Sequence, residues 1–126
     1  MKKFLLLIFL LPLMVLAQQT ADLVKITDMY KMKQMSSIGL SPDGKQAVFV
    51  LNSIEPEGIN KWEYKYTNQL YLVAADGSSS PRALTYKESA SQPVWSPNRK
   101  KIAFLRAVDG KPQIFFLSLE GGEPVQ

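Results

Sequence analysis

Few side chains in this sequence could carry out catalysis. The 126 residues include no histidine and no cysteine, so neither a Ser-His-Asp triad nor a cysteine nucleophile can be assembled from them. Zinc sites built on these two residue types are excluded for the same reason. No G-x-S-x-G nucleophile elbow occurs in the sequence either. We therefore predict that this chain contains no catalytic, cofactor-binding or metal-binding residues.

One segment imitates a phosphate-binding loop. Residues 39–45 match the pattern G-x-x-x-x-G-K, but Gln46 follows where a serine or threonine would hold Mg²⁺. An apolar run typical of a strand comes next, whereas a phosphate-binding loop must open a helix whose N-terminus faces the phosphates. We interpret this segment as a turn between two strands.

The remaining charged groups indicate solvated turns rather than binding sites. Asp43, Glu55 and Glu57 are isolated carboxylates. Isolated carboxylates in turns are far more often solvated than bound to a cation, so we assign them no metal. The basic run at residues 99–101 is interpreted as a solvated turn. The formal charge of +4 falls to +2 without the two N-terminal lysines. That is weak support for a nucleic-acid partner, and we predict none.

The N-terminus is typical of a targeting segment. Lys2 and Lys3 precede an apolar run at residues 4–16, and the small residue Ala17 suits a signal peptide cleaved after that position. As a helix the run would span about 20 Å, less than the roughly 30 Å hydrocarbon core of a bilayer. We predict an exported protein, periplasmic or secreted, with no stable membrane anchor and no lipidated cysteine.

A sequence repeat organises the rest of the chain. Residues 38–49 and 93–104 each contain an apolar entry, a Ser-Pro-Asp/Asn turn, a basic residue and an apolar exit ending in Phe, and the two serines lie 55 positions apart. Each copy continues into another apolar run, at residues 70–73 and 114–117. Repeats of this length indicate an array of small sheets, as in a β-propeller.

We therefore predict an all-β fold made of the opening four-stranded antiparallel blades of a propeller. Residues 1–17 form the signal peptide, residues 18–36 form a strap with one short helix within 23–33, and residues 37–126 form two blades. Thr27 and Asp28 are candidate caps of that helix. The second blade is incomplete, and two blades cannot close a ring, so we expect the chain to be part of a longer protein.

Apolar side chains are expected to pack inside this array. Met29, Met32 and Met35 are interpreted as gap-filling contacts of the strap. The apolar runs within the repeats are continuous rather than alternating, which favours strands covered on both faces. These runs are residues 47–51, 70–73, 102–105 and 114–117.

The two repeats differ in the connection that follows the first apolar strand. In the second repeat, residues 108–112 predict a short hairpin. In the first repeat, the connection runs from Asn52 to Asn68 and carries Trp62, Tyr64 and Tyr66 at alternate positions, which would place them on one face of an extended segment. We favour packing of these rings onto the same or the neighbouring blade, and the alternative is a rim that shapes a substrate chamber.

These features together resemble the N-terminus of secreted serine peptidases of the prolyl oligopeptidase family, of the acylaminoacyl-peptidase and dipeptidyl-peptidase type. The resemblance implies a propeller that leads into an α/β-hydrolase domain, absent from this chain, which would supply the catalytic Ser, Asp and His. The propeller would restrict access of peptide substrates, and the segment itself would be non-catalytic. The resemblance is carried by residues 22–35, 40–45, 47–49, 69–73, 93–97, 102–104 and 121–124.

Two points in the sequence leave room for other interpretations. Tol-type periplasmic propellers that bind proteins without catalysis carry similar repeats, although a short strap leading straight into the first blade favours the peptidase. Arg99 stands where the repeat expects the glycine of the turn, and left-handed geometry would cost it about 1 kcal/mol. Asn98 is an alternative carrier of that conformation, and a different turn type is another.

Overall fold

The computed structural model describes residues 23–57 and 63–126. The predicted signal peptide and Trp62 lie outside the described residues. Within them the chain forms one short 3₁₀ helix and strands β1 to β7. The bounds are 3₁₀ helix Ile26–Lys31, β1 Gln34–Leu40, β2 Gln46–Glu57, β3 Glu63–Ala74, β4 Arg82–Ala83, β5 Ser91–Trp95, β6 Lys101–Val108 and β7 Lys111–Ser118.

The predicted short helix is present and is of the 3₁₀ type. Asp28 closes its first turn, because its carboxylate accepts a hydrogen bond from the Lys25 N–H at 2.9 Å and its own N–H donates to the Lys25 carbonyl at 2.8 Å. The Lys31 ammonium also donates to this carboxylate, at 2.7 Å. The two hydrogen bonds that the carboxylate accepts, from Lys31 foremost and then from the Lys25 N–H, lower the pKa of Asp28. The helix ends at Met32, whose backbone is extended.

The strands form two antiparallel sheets, which confirms the all-β fold class. The first sheet has the order β1-β2-β3-β4, and the second has the order β5-β6-β7. A single bridge between Phe116 and Val125 stands where a fourth strand of the second sheet would begin. The predicted short hairpin is also confirmed, since Asp109 and Gly110, both with positive φ, form the two-residue turn between β6 and β7. No helix in the described ranges is long and apolar enough to cross a membrane.

The hydrophobic core lies between the two sheets. The largest fully buried side chains come from both repeats, Val48 and Leu70 from the first sheet and Ile102 and Phe104 from the second. Burying each of these stabilises the fold by roughly 1.5–3 kcal/mol. The full cluster consists of Val48, Val50, Leu70, Ala90, Ile102, Phe104, Phe115 and Leu117.

A polar contact accompanies this packing. The Trp95 indole N–H at the end of β5 donates to the Gly39 carbonyl in β1 at 3.0 Å. A Cβ built at Gly39 would lie 3.8 Å from Trp95 Cδ1, an ordinary van der Waals distance, so the position of the indole does not require a glycine there. The hydrogen bond fixes the first strand of one sheet to the first strand of the next.

Continuous apolar runs do not always mean burial on both faces in this fold. Val48, Phe49 and Val50 are successive buried residues, as predicted. In β7, by contrast, burial alternates, and Ile114 and Phe116 are 57% and 48% exposed. The expectation was wrong for β7 because the described residues cover only one face of the second sheet.

The long connection of the first repeat is a β-hairpin rather than a loop. Its register is continuous from the pair Gln46–Ala74 to the pair Glu57–Glu63. The apolar run ends at Leu51, but the two strands continue beyond it and are held there by cross-strand pairs that include polar side chains. One such pair is the hydrogen bond between the hydroxyls of Ser53 and Thr67, at 2.8 Å.

Candidate functional site

A groove lies between the strap and the base of the long hairpin. Its volume is about 1050 Å³, slightly above the range of roughly 300–1,000 Å³ for ligand pockets. It lies where β1 begins, at the end of the first sheet opposite the Ser-Pro turn. The lining residues are Met29, Tyr30, Met32, Lys33, Gln34, Met35, Asn52, Ser53, Ile54, Tyr66 and Asn68.

An aromatic stack holds the two sides of this groove together. The ring of Tyr30, on the 3₁₀ helix, lies 4.3 Å from the ring of Tyr64 on β3, with 14° between their planes. Such pairs contribute about 0.5–1.5 kcal/mol beyond the area that they bury. The stack therefore positions the strap against the hairpin and sets the shape of the groove.

Three methionines form much of the apolar wall. Met29, Met32 and Met35 are 57%, 63% and 53% exposed. The expectation that they fill gaps in the packing was therefore wrong for the described residues. Because the unbranched thioether side chain is flexible and polarisable, this wall can adapt to apolar groups of different shape.

The polar lining of the groove can exchange hydrogen bonds with a bound molecule. Gln34, Asn52 and Asn68 contribute amide side chains, and the Asn52 side-chain oxygen Oδ1 accepts a hydrogen bond from the Ser36 hydroxyl at 3.4 Å. Lys33 is the one charged residue among the lining residues. The groove thus combines apolar walls with amide donors and acceptors, an arrangement that can bind a ligand. Its lining residues do not include a nucleophile paired with a base.

The two described aromatics of the hairpin have different environments. Tyr64 and Tyr66 lie on one face of β3, as their alternate spacing predicted. Tyr64 packs, but it packs on the strap rather than on a sheet. Tyr66 is 73% exposed and lines the groove, so the favoured packing onto a sheet was wrong for this ring. The groove itself was not predicted. The features of the sequence that relate to it are the three-residue spacing of Met29, Met32 and Met35 and the alternate spacing of Tyr64 and Tyr66.

The segment that imitates a phosphate-binding loop is a turn between β1 and β2, as predicted. The buried Ser41 hydroxyl accepts a hydrogen bond from the Gln46 N–H at 3.0 Å and donates to the Asp43 carboxylate at 2.7 Å. That carboxylate also accepts a bond from the Lys45 N–H at 3.2 Å. The polar side chains of the turn are therefore occupied by the turn itself.

The second turn repeats these bonds at equivalent positions. The Ser96 hydroxyl accepts a bond from the Lys101 N–H at 3.0 Å and donates to Asn98 at 2.7 Å. Asn98 in turn accepts a bond from the Lys100 N–H at 3.1 Å. The repeat seen in the sequence is thus a repeat of individual hydrogen bonds.

Arg99 itself takes the left-handed conformation at the glycine position. Its φ is 62°, close to the 69° of Gly44 in the first turn. Its guanidinium donates to the Asp43 carboxylate and so joins the two turns. The basic run is exposed, as expected, and the Arg99 side chain is 54% exposed; its ion pair with Asp43 was not predicted.

The carboxylates considered as cation ligands are placed in two regions. Glu55 and Glu57 are exposed on the long hairpin. Asp43 lies in the first turn, where the Ser41 hydroxyl first, then the Lys45 N–H and the Arg99 guanidinium, lower its pKa from 3.8 to about 2. Asp43 is therefore an ionised partner of the neighbouring turn.

Comparison with known proteins places the chain among relatives of peptidases. No protein-family model matches it. It is 29% identical over 111 residues to dipeptidyl-peptidase 5 of Porphyromonas endodontalis, an alignment that covers 86% of this chain and 15% of that protein. It is also 29% identical over 83 residues to dipeptidyl-peptidase 5 of Porphyromonas gingivalis, covering 66% of this chain and 11% of that protein. The chain spans a small part of the length of these curated relatives, and the similarity indicates that it is a peptidase-related protein.

Proposed function

We propose that this chain is the N-terminal part of an exported serine peptidase and forms the opening blades of a β-propeller that restricts the access of peptides. Residues 1–17 are the signal peptide, 18–36 the strap and 37–126 the first two blades, the second incomplete. The observation that carries the proposal is the similarity to a dipeptidyl-peptidase over 86% of the chain. The hydrolase domain lies elsewhere in the protein.

The stacking of the two sheets supports the propeller part of this proposal. Each sheet is formed by one copy of the sequence repeat, and its strands are antiparallel and follow one another in sequence order. The two sheets share one hydrophobic core. Blades of a propeller are small sheets that pack face to face around an axis.

The groove is the part of this chain that we assign to substrate. Its methionine and tyrosine side chains would contact apolar side chains of a peptide, and Gln34, Asn52 and Asn68 would bond to the peptide backbone. A wall of this kind selects by size and apolarity, and the chemistry remains with the hydrolase domain.

The test begins with the DNA that follows the codon for Gln126. We expect the frame to continue through further Ser-Pro-Asp repeats to a G-x-S-x-G elbow, followed by Asp and then His. The product of the complete open reading frame should release coumarin from dipeptidyl-coumarin substrates and lose this activity with diisopropyl fluorophosphate. The matched control is the variant with alanine at the elbow serine. A frame without the elbow, whose product releases no coumarin, would replace the peptidase with the protein-binding propeller.

Export has its own test. After expression in a bacterial host, the mature protein should leave the cytoplasm and begin at Gln18. N-terminal sequencing of the purified product reads the cleavage site directly. A product that stays in the cytoplasm and retains Lys2 and Lys3 would contradict the proposal of a cleaved signal peptide.

A further inference from the structure

The methionines of this chain are distributed unevenly. Two of the five lie in the predicted signal peptide, and the other three are Met29, Met32 and Met35, at successive intervals of three residues. All three line the groove between the strap and the long hairpin. They are exposed there, although large apolar side chains usually gain from burial. The groove therefore presents every thioether that follows residue 17 to the solvent.

The local backbone brings two of these thioethers to one side of the strap. Met29 lies in the 3₁₀ helix, and Met32 is the residue at which that helix ends. A 3₁₀ helix has three residues per turn, so side chains three positions apart lie one above the other. The Met32 N–H donates to the Met29 carbonyl at 3.3 Å, which keeps this spacing to the end of the helix. Met35 reaches the same groove from the start of β1.

The contact that holds this turn in place lies between the two methionines in sequence. Tyr30 stacks on Tyr64 of β3 at a ring distance of 4.3 Å, so the turn that carries Met29 and Met32 is fixed against the long hairpin. A site whose backbone is positioned before binding loses less conformational freedom when it binds. The flexible methionine side chains can then adjust around a ligand.

The chemistry of the lining selects one class of metal ion. Thioether sulfur is a soft, uncharged ligand that suits Cu(I), and Ag(I) by the same softness. Hard ions such as Mg²⁺ and Ca²⁺ need oxygen ligands, chiefly carboxylates, and the lining residues include no Asp or Glu. Structural Zn²⁺ sites are built on cysteine and histidine, which the chain does not contain. The absence of a metal site predicted from the sequence concerned those ligands and not thioethers.

We infer that Met29, Met32 and Met35 bind one soft monovalent cation of the Cu(I) class in this groove. The groove is the one that the proposed function assigns to substrate, but the inference holds whether or not the protein cleaves peptides. It gives the three exposed thioethers a common role that apolar packing does not supply.

The charges around the groove also favour a monovalent ion. Lys33 is the one charged residue among the lining residues, and it repels any cation. A monovalent ion meets half the repulsion that a divalent ion would meet at the same distance. The neighbouring Lys31 is compensated, because its ammonium lies 2.7 Å from the Asp28 carboxylate.

Titration with silver nitrate in chloride-free buffer tests this inference on the product of the complete open reading frame. Ag(I) is the probe because it needs no reductant to stay monovalent. The matched control combines Met29→Leu, Met32→Leu and Met35→Leu, since leucine keeps the size and apolarity of methionine. We expect calorimetry to show one equivalent of Ag(I) fewer for the control, because ligands elsewhere in the protein are common to both samples. Equal stoichiometry would overturn the inference.

Single variants test the site in finer detail. Each single methionine-to-leucine variant should bind this equivalent at least about tenfold more weakly, since even residues that only orient a ligand are worth about that much. These variants carry the test if circular dichroism shows that the triple variant does not fold. Lys33→Gln should bind Ag(I) about two- to fivefold more tightly, because it removes the repelling charge. Unchanged or weaker binding by Lys33→Gln would place the ion outside the groove and overturn the inference.

Two further measurements separate the remaining outcomes. Zn²⁺ should show no difference between the protein and the triple variant, and a difference of one equivalent would overturn the assignment to a soft ion. Coumarin release is measured on samples without silver. A protein that binds Ag(I) at these methionines but releases no coumarin keeps the inference and removes the peptidase, and the opposite result does the reverse.

Discussion

The turn of the first repeat and the turn of the second make the same hydrogen bonds, although a glycine in the first turn is replaced by an arginine in the second. Gly44 has a φ of 69° in the first turn, and Arg99 has a φ of 62° in the second. The conformation is therefore set by the serine hydroxyl and by the Asp or Asn side chain, which both turns share. Glycine makes this conformation easier to adopt but does not determine it.

The second difference between the turns is their burial. Ser41 is 5% exposed, whereas Ser96 is half-buried. The first turn lies against the second and receives its arginine, and the second turn has no equivalent neighbour among the described residues. Position in the array therefore changes the environment of a conserved hydrogen-bond pattern.

The largest effect is expected at the first serine. Ser41→Ala should lower the free energy of unfolding by about 1–3 kcal/mol, because the Gln46 N–H loses the buried Ser41 hydroxyl as its acceptor in a part-buried hydrogen bond. Ser96→Ala is the matched variant and should cost about 0.5–1.5 kcal/mol, since water can reach the second turn. Urea denaturation of the complete gene product measures both. Equal losses would show that burial does not distinguish the turns.

A smaller effect is expected at the glycine of the first turn. Gly44→Ala should cost about 1 kcal/mol, because the left-handed backbone disfavours a Cβ. Open space surrounds the site, where no atom lies within 4 Å of a Cβ built there, so the loss reports the backbone alone. The same denaturation experiment measures it. A neutral result would mean that the turn relaxes to another conformation.

Arg99→Gly is expected to be close to neutral. It relieves a left-handed arginine, which gains about 1 kcal/mol, and removes an exposed ion pair with Asp43, which loses up to about 1 kcal/mol. Arg99→Ala separates the two contributions, because it removes the ion pair and keeps the strained backbone. Of the two variants, the alanine should be the less stable in thermal denaturation, and the reverse order would contradict a left-handed residue 99.

The smallest effect is the acid dependence of Asp43. Its pKa in the folded protein is about 2, below the ordinary value of 3.8. Ionised Asp43 therefore stabilises the fold at pH values above 3.8. That contribution is lost as the pH falls from 3.8 toward about 2. Asp43→Asn should therefore lose less stability than the unsubstituted protein over this interval. Urea midpoints at several pH values measure the difference, and parallel curves would refute the role of the carboxylate.

Local features of this fold were predictable from the sequence, and long-range ones were not. The Ser-Pro turns, the strands that follow them and the two-residue turn at Asp109 depend on neighbouring residues, so their patterns are visible in the chain. The part of β2 that follows Leu51, and the part of β3 that pairs with it, were not predicted. Their residues are mixed polar and apolar and are held together by cross-strand pairs. The groove depends on the contact between Tyr30 and Tyr64, which the spacing of residues in the sequence does not predict.

The hydrogen bond between Trp95 and Gly39 has a spectroscopic consequence. The indole lies at the contact between the two sheets and donates its N–H to a carbonyl of the other sheet, so its fluorescence depends on whether the sheets remain together. The chain contains two tryptophans, Trp62 and Trp95. Replacing Trp62 by Phe leaves Trp95 as the sole tryptophan of this chain. Its fluorescence emission would then shift to longer wavelength as water enters between the sheets.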